Sequence, residues 1–243
     1  MKQSFILSSI VLIALACPAF SAGSDQLIPP ETATAGRCAI TPAVGAISYP
    51  GALKIPHTND LVRPTGKPDD TGGQMVYFMG KVVDQNCNPL SDVVVELWQP
   101  DPYSTFKIPS NSDMANPNAM FAGAGKTYTG IDGTFSFRTL FPGTLTICQR
   151  RNARGKCISS LERAPFYNIR ISSKALRSNT VSMGTFFEND RRNPTDPVYR
   201  KLSDVGKGQL TMKVLPSDAG DYASGMRTYI ELVVPTKPHW HGY

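Results

Sequence analysis

Short runs of β-branched and aromatic residues, separated by turn residues, constrain the fold of this chain more than any other feature. The clearest run, Val93–Trp98, is rich in valine and ends in tryptophan, which is typical of a strand buried on at least one face. Partial alternation of apolar and polar residues predicts further strands, and no long helical period competes with them. The predicted strands are Met75–Val83, Val93–Trp98, a hairpin of Thr127–Thr129 with Thr134–Leu140, Tyr167–Ser172, Val181–Phe187, Gly208–Val214 and Arg227–Val234.

These segments predict an all-β fold, built as an antiparallel β-sandwich with an extended N-terminal arm and long loops. The 20 glycines and 20 prolines supply many turns, and a hydrophobic content of 41% is enough for a core. Residues 22–73 are rich in Pro, Gly, Thr and Ala without a sustained period, which predicts the arm. Residues 74–243 then form one domain, since sandwiches of this size are common. Pro197–Leu202 is the best helical candidate.

The first 21 residues have the layout of a secretory signal peptide. A basic start is followed by the apolar run Phe5–Ala16 and then by small residues around Ser21, where we expect cleavage, with Ala22 as the alternative. No stretch reaches the roughly 20 apolar residues that a membrane helix needs. We therefore expect an exported protein, periplasmic or extracellular, without a transmembrane segment. A lipoprotein signal in which Cys17 is acylated is an open alternative.

Four cysteines remain after removal of the leader, and an even number in an oxidising compartment favours disulfides. We predict that Cys148 pairs with Cys157, because the basic, glycine-containing stretch between them needs to be tied down. Cys38 and Cys87 then form the second bond. Free thiols and a metal site are the alternatives, and the absence of a Cys-x-x-Cys spacing disfavours zinc.

The net charge of +6 does not point to a nucleic-acid partner. One short basic group lacks interleaved aromatic residues and is more typical of a solvated loop; it contains Arg150, Arg151, Arg154 and Lys156. No phosphate-binding loop or catalytic triad pattern is visible in the chain. A His-x-His pair at the C-terminus, His239 and His241, has the spacing of a copper or zinc chelate, but two histidines at a terminus favour an exposed or interface tail.

Several short pieces share order and spacing with one enzyme family. They are Gly80–Asp84, Asn88–Pro89, Val94–Gln99, Phe121–Gly123, Asp132–Thr139 and Pro142–Gly143, with weaker matches at Asn59–Leu61, Phe187–Asp190 and Asp196–Pro197. In this combination the chain resembles the intradiol ring-cleavage dioxygenases, which include protocatechuate 3,4-dioxygenase and catechol 1,2-dioxygenase. The resemblance implies the β-sandwich of that family and a non-heme ferric site in it.

The family holds its ferric ion with two tyrosines and two histidines, since anionic phenolate oxygens favour the ferric state. The first tyrosine lies eight residues after the tryptophan that matches Trp98, and Phe106 occupies that position here. The second tyrosine follows the Pro–Gly pair, and the corresponding residue is Leu145. Neither side chain has an oxygen with which to bind a metal.

The family's two histidines alternate along a strand that begins just after an active-site arginine, matched here by Arg163. Strand alternation directs both histidines to the same face. The corresponding residues are Phe166 and Asn168, with Tyr167 pointing to the opposite face. A supporting glutamine on a later strand is replaced by Gly184. All four ligand positions therefore lack the family's side chains.

The sequence favours an exported, non-catalytic relative that needs no cofactor. Its pocket would bind a small aromatic or apolar molecule, or support a protein interaction, through Phe106, Leu145, Arg163, Phe166 and Asn168. The alternative is a ring-cleaving dioxygenase for catechol-like compounds, with Fe³⁺ in a rearranged site that draws on tyrosines such as Tyr103 or Tyr128. Arg163 would bind an anionic group or form an ion pair with Glu162 or Glu188. The resemblance also leaves assembly into an oligomer open.

Overall fold

A computed structural model of the chain describes residues 37–47, 55–63, 72–106, 121–216 and 225–238. The predicted signal peptide, the candidate lipidation site Cys17 and the tail with His239 and His241 lie outside these residues. No helix in the described ranges has the length and apolar character needed to cross a membrane.

The described residues form ten strands, and the predicted all-β fold is confirmed. A single α-helix in the described part, α1, spans Asp204–Leu210, and two short 3-10 turns cover Asn193–Thr195 and Tyr199–Lys201. The strands are β1 (Met75–Asp84), β2 (Val94–Trp98), β3 (Ala124–Tyr128), β4 (Thr134–Leu140), β5 (Leu145–Arg151), β6 (Cys157–Arg163), β7 (Phe166–Ser172), β8 (Thr180–Phe187), β9 (Thr211–Leu215) and β10 (Met226–Val234).

Eight strands form one mixed sheet in the order β3-β2-β7-β8-β9-β10-β1-β4, and β5 pairs with β6 separately. The prediction of a purely antiparallel arrangement is wrong at two places, because β1 pairs with β10 and β8 pairs with β9 in parallel. The long connection between β8 and β9, which contains α1, allows the second strand to return in the same direction. Strand polarity depends on such connections, so the alternation pattern did not predict it.

The core lies between the two halves of this sheet. Phe78 on β1 contacts Tyr167 on β7, with ring centroids 5.3 Å apart, and thereby joins β3-β2-β7-β8 to β9-β10-β1-β4. Both side chains are fully buried, and burial of each contributes about 1.5–3 kcal/mol. The Tyr167 hydroxyl donates to the Leu140 carbonyl oxygen at 3.3 Å, and burial raises its pKa well above the usual value of a tyrosine.

Two sequence predictions need correction in their details. The segments predicted as a hairpin around Asp132 become β3 and β4, which pair with β2 and β1 and lie at opposite ends of the sheet order. The predicted strand Gly208–Val214 begins as helix α1, whose amino end is capped by the Ser203 side chain accepting from the Gly206 N–H, and only then becomes β9. Glycines weaken a helical pattern, which explains why the helix was missed.

Both predicted disulfides are present. Cys38 is bonded to Cys87 with their Cα atoms 5.4 Å apart, and Cys148 to Cys157 with a Cα separation of 5.7 Å. The second bond clamps the β5–β6 hairpin, whose strands were not predicted. The first attaches the arm to the turn that follows β1, so it fixes where the arm begins its path over the sheet.

Candidate functional site

The candidate site lies on the outer face of β2, β7 and β8. Trp98, Asn168 and Gly184 form a row across this face, because Asn168 is paired with Trp98 on one side and with Gly184 on the other. The core position of Tyr167 fits the predicted alternation, in which Phe166 and Asn168 share the other face. Both of these side chains are nevertheless fully buried, so something covers the outer face at this point.

Arg163 is at one end of the face and is almost completely buried. Its Nε donates to Asp196 Oδ2 at 2.7 Å, and its guanidinium carbon lies 4.3 Å from the centre of the Phe166 ring. Asp196 therefore replaces the two ion-pair partners suggested by the sequence. One of these, Glu188, instead accepts hydrogen bonds from the Val214 N–H and from Lys213, which lower its pKa in that order of effect, against the opposing effect of burial.

Asn168 stands where the family resemblance assigns the second histidine, and both polar atoms of its side chain are hydrogen-bonded to backbone groups. Its Oδ1 accepts from the Ile47 N–H at 2.7 Å, and its Nδ2 donates to the Trp98 carbonyl oxygen at 3.1 Å. Ile47 is 121 positions away along the chain and belongs to the N-terminal arm. The arm is therefore what covers this part of the outer face.

The arm crosses the face with residues 44–47, which bend at Gly45, and is held through its backbone. The Gly184 N–H donates to the Val44 carbonyl oxygen at 2.8 Å, and Arg163 Nη1 donates to that of Gly45 at 3.3 Å. Trp98 Nε1 donates to the Ile47 carbonyl oxygen at 3.1 Å. We call this row of donors and acceptors, formed by Trp98, Arg163, Asn168 and Gly184, the arm track.

Gly184 makes the close approach of the arm possible. A Cβ atom built at this position would lie 2.8 Å from the carbonyl oxygen of Gly45 and 2.9 Å from its carbonyl carbon. Such distances are too short for non-bonded atoms, so any side chain here would push the arm away. The replacement of the family's glutamine by glycine is thus sterically matched to the path of the arm.

The remaining predicted pocket residues lie near the arm track without meeting at one point. Leu145 is half-buried and directly opposite Arg163 in the β5–β6 hairpin. Phe106 packs on a small cluster of Trp98, Ile55 and Ala124. The structure thus places Phe106 beside the tryptophan end of the track and Leu145 beside its arginine end.

The described residues at this site do not suit a ferric ion. Phe106, Leu145 and Phe166 offer no donor atoms, and both polar atoms of Asn168 are bonded to backbone groups. Tyr167 faces the core, where its raised pKa keeps the phenol neutral. Within the part of the chain that the structure describes, no group of three or more His, Cys, Asp or Glu side chains is placed to hold a metal. The donor set that the family uses is therefore not assembled by these residues.

Sequence reasoning predicted the arm but not its position on this face, and it missed Asp196 as the partner of Arg163. The sequence shows that Asn168 and Gly184 replace a histidine and a glutamine of the family. These two replacements indicate that the face of β7 and β8 differs from that of the family. Nothing in the irregular sequence of residues 37–47 indicated that this segment would fill it. The Asp196–Pro197 piece was noted only as a weak family match, whereas its carboxylate accepts four hydrogen bonds.

Comparisons with known proteins agree with this fold. Residues 49–228 match the family model described as Dioxygenase. A Rickettsia conorii protein named as a dioxygenase is 31% identical over 115 residues, which cover 44% of this chain and 54% of that protein. The chain spans about half the length of the curated relatives that it matches.

Solved structures of similar fold include two enzymes at 20% identity. The 3-chlorocatechol 1,2-dioxygenase from Rhodococcus opacus 1CP has a TM-score of 0.60 and an alignment that covers 83% of this chain and 74% of that chain. An intradiol ring-cleavage dioxygenase from Tetranychus urticae has a TM-score of 0.56, with 82% and 95% covered. At this identity the likeness concerns the fold alone.

Proposed function

This chain belongs to the dioxygenase family of the intradiol ring-cleavage type, and from that premise we propose that it is a non-catalytic, exported member that acts by binding. The observation that carries the proposal is the double hydrogen bonding of Asn168 to the backbones of Ile47 and Trp98. A side chain at a family metal position is committed to holding the chain's own arm. It cannot do that and serve as a metal ligand at once.

The surrounding substitutions support the same proposal. Phe166 at the other histidine position is fully buried against the Arg163 guanidinium, and its ring offers no atom that binds a metal. Gly184 leaves room for the arm where the family has a polar side chain. A small aromatic ligand would have to displace residues 44–47, so the proposal favours protein interaction over small-molecule binding at this face.

Export is part of the proposal and is supported by the two disulfides. Such bonds persist mainly in oxidising compartments. The same compartment would contain whatever partner the protein binds.

The test is the metal content and the activity of the purified protein. We expect far less than one iron per chain, no visible absorption from tyrosinate-to-iron charge transfer, and no cleavage of catechol or protocatechuate after incubation with ferric or ferrous iron. Stoichiometric iron together with ring cleavage would establish the alternative, a dioxygenase with a rearranged site. Loss of that iron in an Asn168→Ala variant would then locate the site on the arm track.

A further inference from the structure

We propose that the arm track is a peptide-binding site for a segment of a partner protein with a glycine at its centre, and that residues 44–47 of the same chain occupy it. This inference rests on the proposed non-catalytic function, because a face that held iron could not also bind a peptide backbone. It adds the chemical class of the partner, a glycine-containing peptide segment, and it assigns control of access to the Cys38–Cys87 disulfide.

The contacts are those of main-chain recognition. Three carbonyl oxygens of the arm accept hydrogen bonds, from Gly184 N–H, Arg163 Nη1 and Trp98 Nε1, and one arm N–H donates to Asn168. None of these four bonds uses a side chain of the arm. Affinity from backbone hydrogen bonds is independent of the bound sequence, so a segment from another chain can form the same set.

The geometry restricts which segments fit. Gly45 has a φ of +82°, a conformation that favours glycine, and a Cβ atom there would lie 3.1 Å from Val198 Cγ1. The carbonyl group of Gly45 also rests directly on Gly184. The site therefore selects a segment with glycine at this position. The segment Ala39–Ile47 of the arm meets this requirement, because Gly45 is its glycine.

The Cys38–Cys87 disulfide retains the occupant. It attaches the arm a few residues before Gly45 to the turn after β1, so the arm is always close to the track. A short tether gives an effective concentration in the millimolar range, and an external peptide competes poorly with it. Cleavage of this bond leaves the arm tethered from its carboxyl side only, through the chain that connects Ile47 to Ile55, and access to the track then increases.

The experiment measures binding of a fluorescent peptide with the sequence of Ala39–Ile47 to full-length variants. We expect weak or no binding to the oxidised wild type and at least about tenfold tighter binding to the Cys38→Ser/Cys87→Ser variant. The matched control is Cys148→Ser/Cys157→Ser, which removes the disulfide of the β5–β6 hairpin and should behave as the wild type. Adding Asn168→Ala to the Cys38→Ser/Cys87→Ser variant should weaken peptide binding about tenfold.

A second variant keeps both disulfides and weakens only the arm. Gly45→Ala should increase peptide binding, whereas Gly155→Ala, at a similar φ of +76° with nothing nearby, should not. The proposal is overturned if neither Gly45→Ala nor Cys38→Ser/Cys87→Ser binds the peptide better than its control. It is also overturned if Asn168→Ala leaves the binding unchanged. Iron retained by the wild type would overturn the proposed function, whereas absence of peptide binding by iron-free, folded variants would overturn this inference alone.

Discussion

Arg163 and Asp196 form an ion pair that is shielded from solvent on both sides, with Nε 2.7 Å from Oδ2 and side-chain exposures of 4% and 0%. The same Oδ2 accepts from the Ala164 N–H, while Oδ1 accepts from the N–H groups of Val198 and Tyr199. The carboxylate thus joins the turn between β6 and β7 to the segment after β8. This pair also positions the guanidinium that binds the arm.

Removal of the Arg163 charge should strongly destabilise the protein. In Arg163→Met the Asp196 carboxylate is left buried without its cation, and loss of one partner of a buried pair costs about 3–5 kcal/mol. Lys207→Met is the matched control, because Lys207 pairs with a fully exposed Asp204, and loss of such a pair costs about 1 kcal/mol or less. Urea unfolding of both variants measures the difference, and equal destabilisation would contradict the role given to the buried pair.

A side chain at residue 184 should displace the arm. In Gly184→Ala the new Cβ would overlap the carbonyl group of Gly45, and overpacking of this kind costs about 1–3 kcal/mol. We expect faster hydrogen exchange of the Ile47 N–H, which the arm track otherwise protects. Gly208→Ala is the control, because a Cβ there meets nothing within 4 Å and alanine suits a helix better than glycine. Unchanged exchange at Ile47 in Gly184→Ala would show that the arm is not held against this glycine.

The alternation of side chains along strands and the number and spacing of the cysteines predicted much of this architecture. The strand pattern of β7 was sufficient to place Phe166 and Asn168 on one face and Tyr167 on the other, since successive side chains in a strand alternate. Both disulfide pairings were also predicted from the sequence. Pairing Cys148 with Cys157 across the basic stretch left Cys38 and Cys87 to form the second bond. These features depend on local pattern and on residue type, which a single sequence contains.

The arm and the strand directions depend on contacts distant in sequence, and local patterns do not encode them. Ile47 is fixed by Asn168 and Trp98 through hydrogen bonds to its backbone, and a backbone group looks the same for every residue type. The parallel pairing of β1 with β10 likewise joins the first and the last of these strands in sequence. The sequence therefore showed that Gly184 replaces the family's glutamine, but it did not show that the arm lies against this glycine.

Tyr229 should make the protein sensitive to alkaline pH. Burial, followed by the nearby charges of Glu231 and Asp132, raises its pKa to about 12. The unfolded chain loses the phenolic proton near pH 10. The stabilisation by this neutral phenol is therefore complete below about pH 10 and is lost as the pH rises toward about 12. Over this range the wild type should lose unfolding free energy relative to Tyr229→Phe as the pH rises; parallel curves would refute the linkage.

Restoration of the family's metal ligands should reveal whether the arm excludes iron. The combined variant Phe106→Tyr, Leu145→Tyr, Phe166→His and Asn168→His supplies two phenols and two imidazoles, the donor set that suits a ferric ion. We expect this variant to bind more iron when Cys38→Ser/Cys87→Ser also loosens the arm than when the disulfide is intact, because residues 44–47 otherwise cover the face.

Iron per chain and visible absorption measure the result, with circular dichroism to verify the fold. Phe166→His alone is the control and should bind no more iron than the wild type, since one imidazole cannot replace the hydration shell of the ion. Equal iron uptake with the arm tethered and freed would mean that the lost side chains, rather than the arm, are what keep iron from this face.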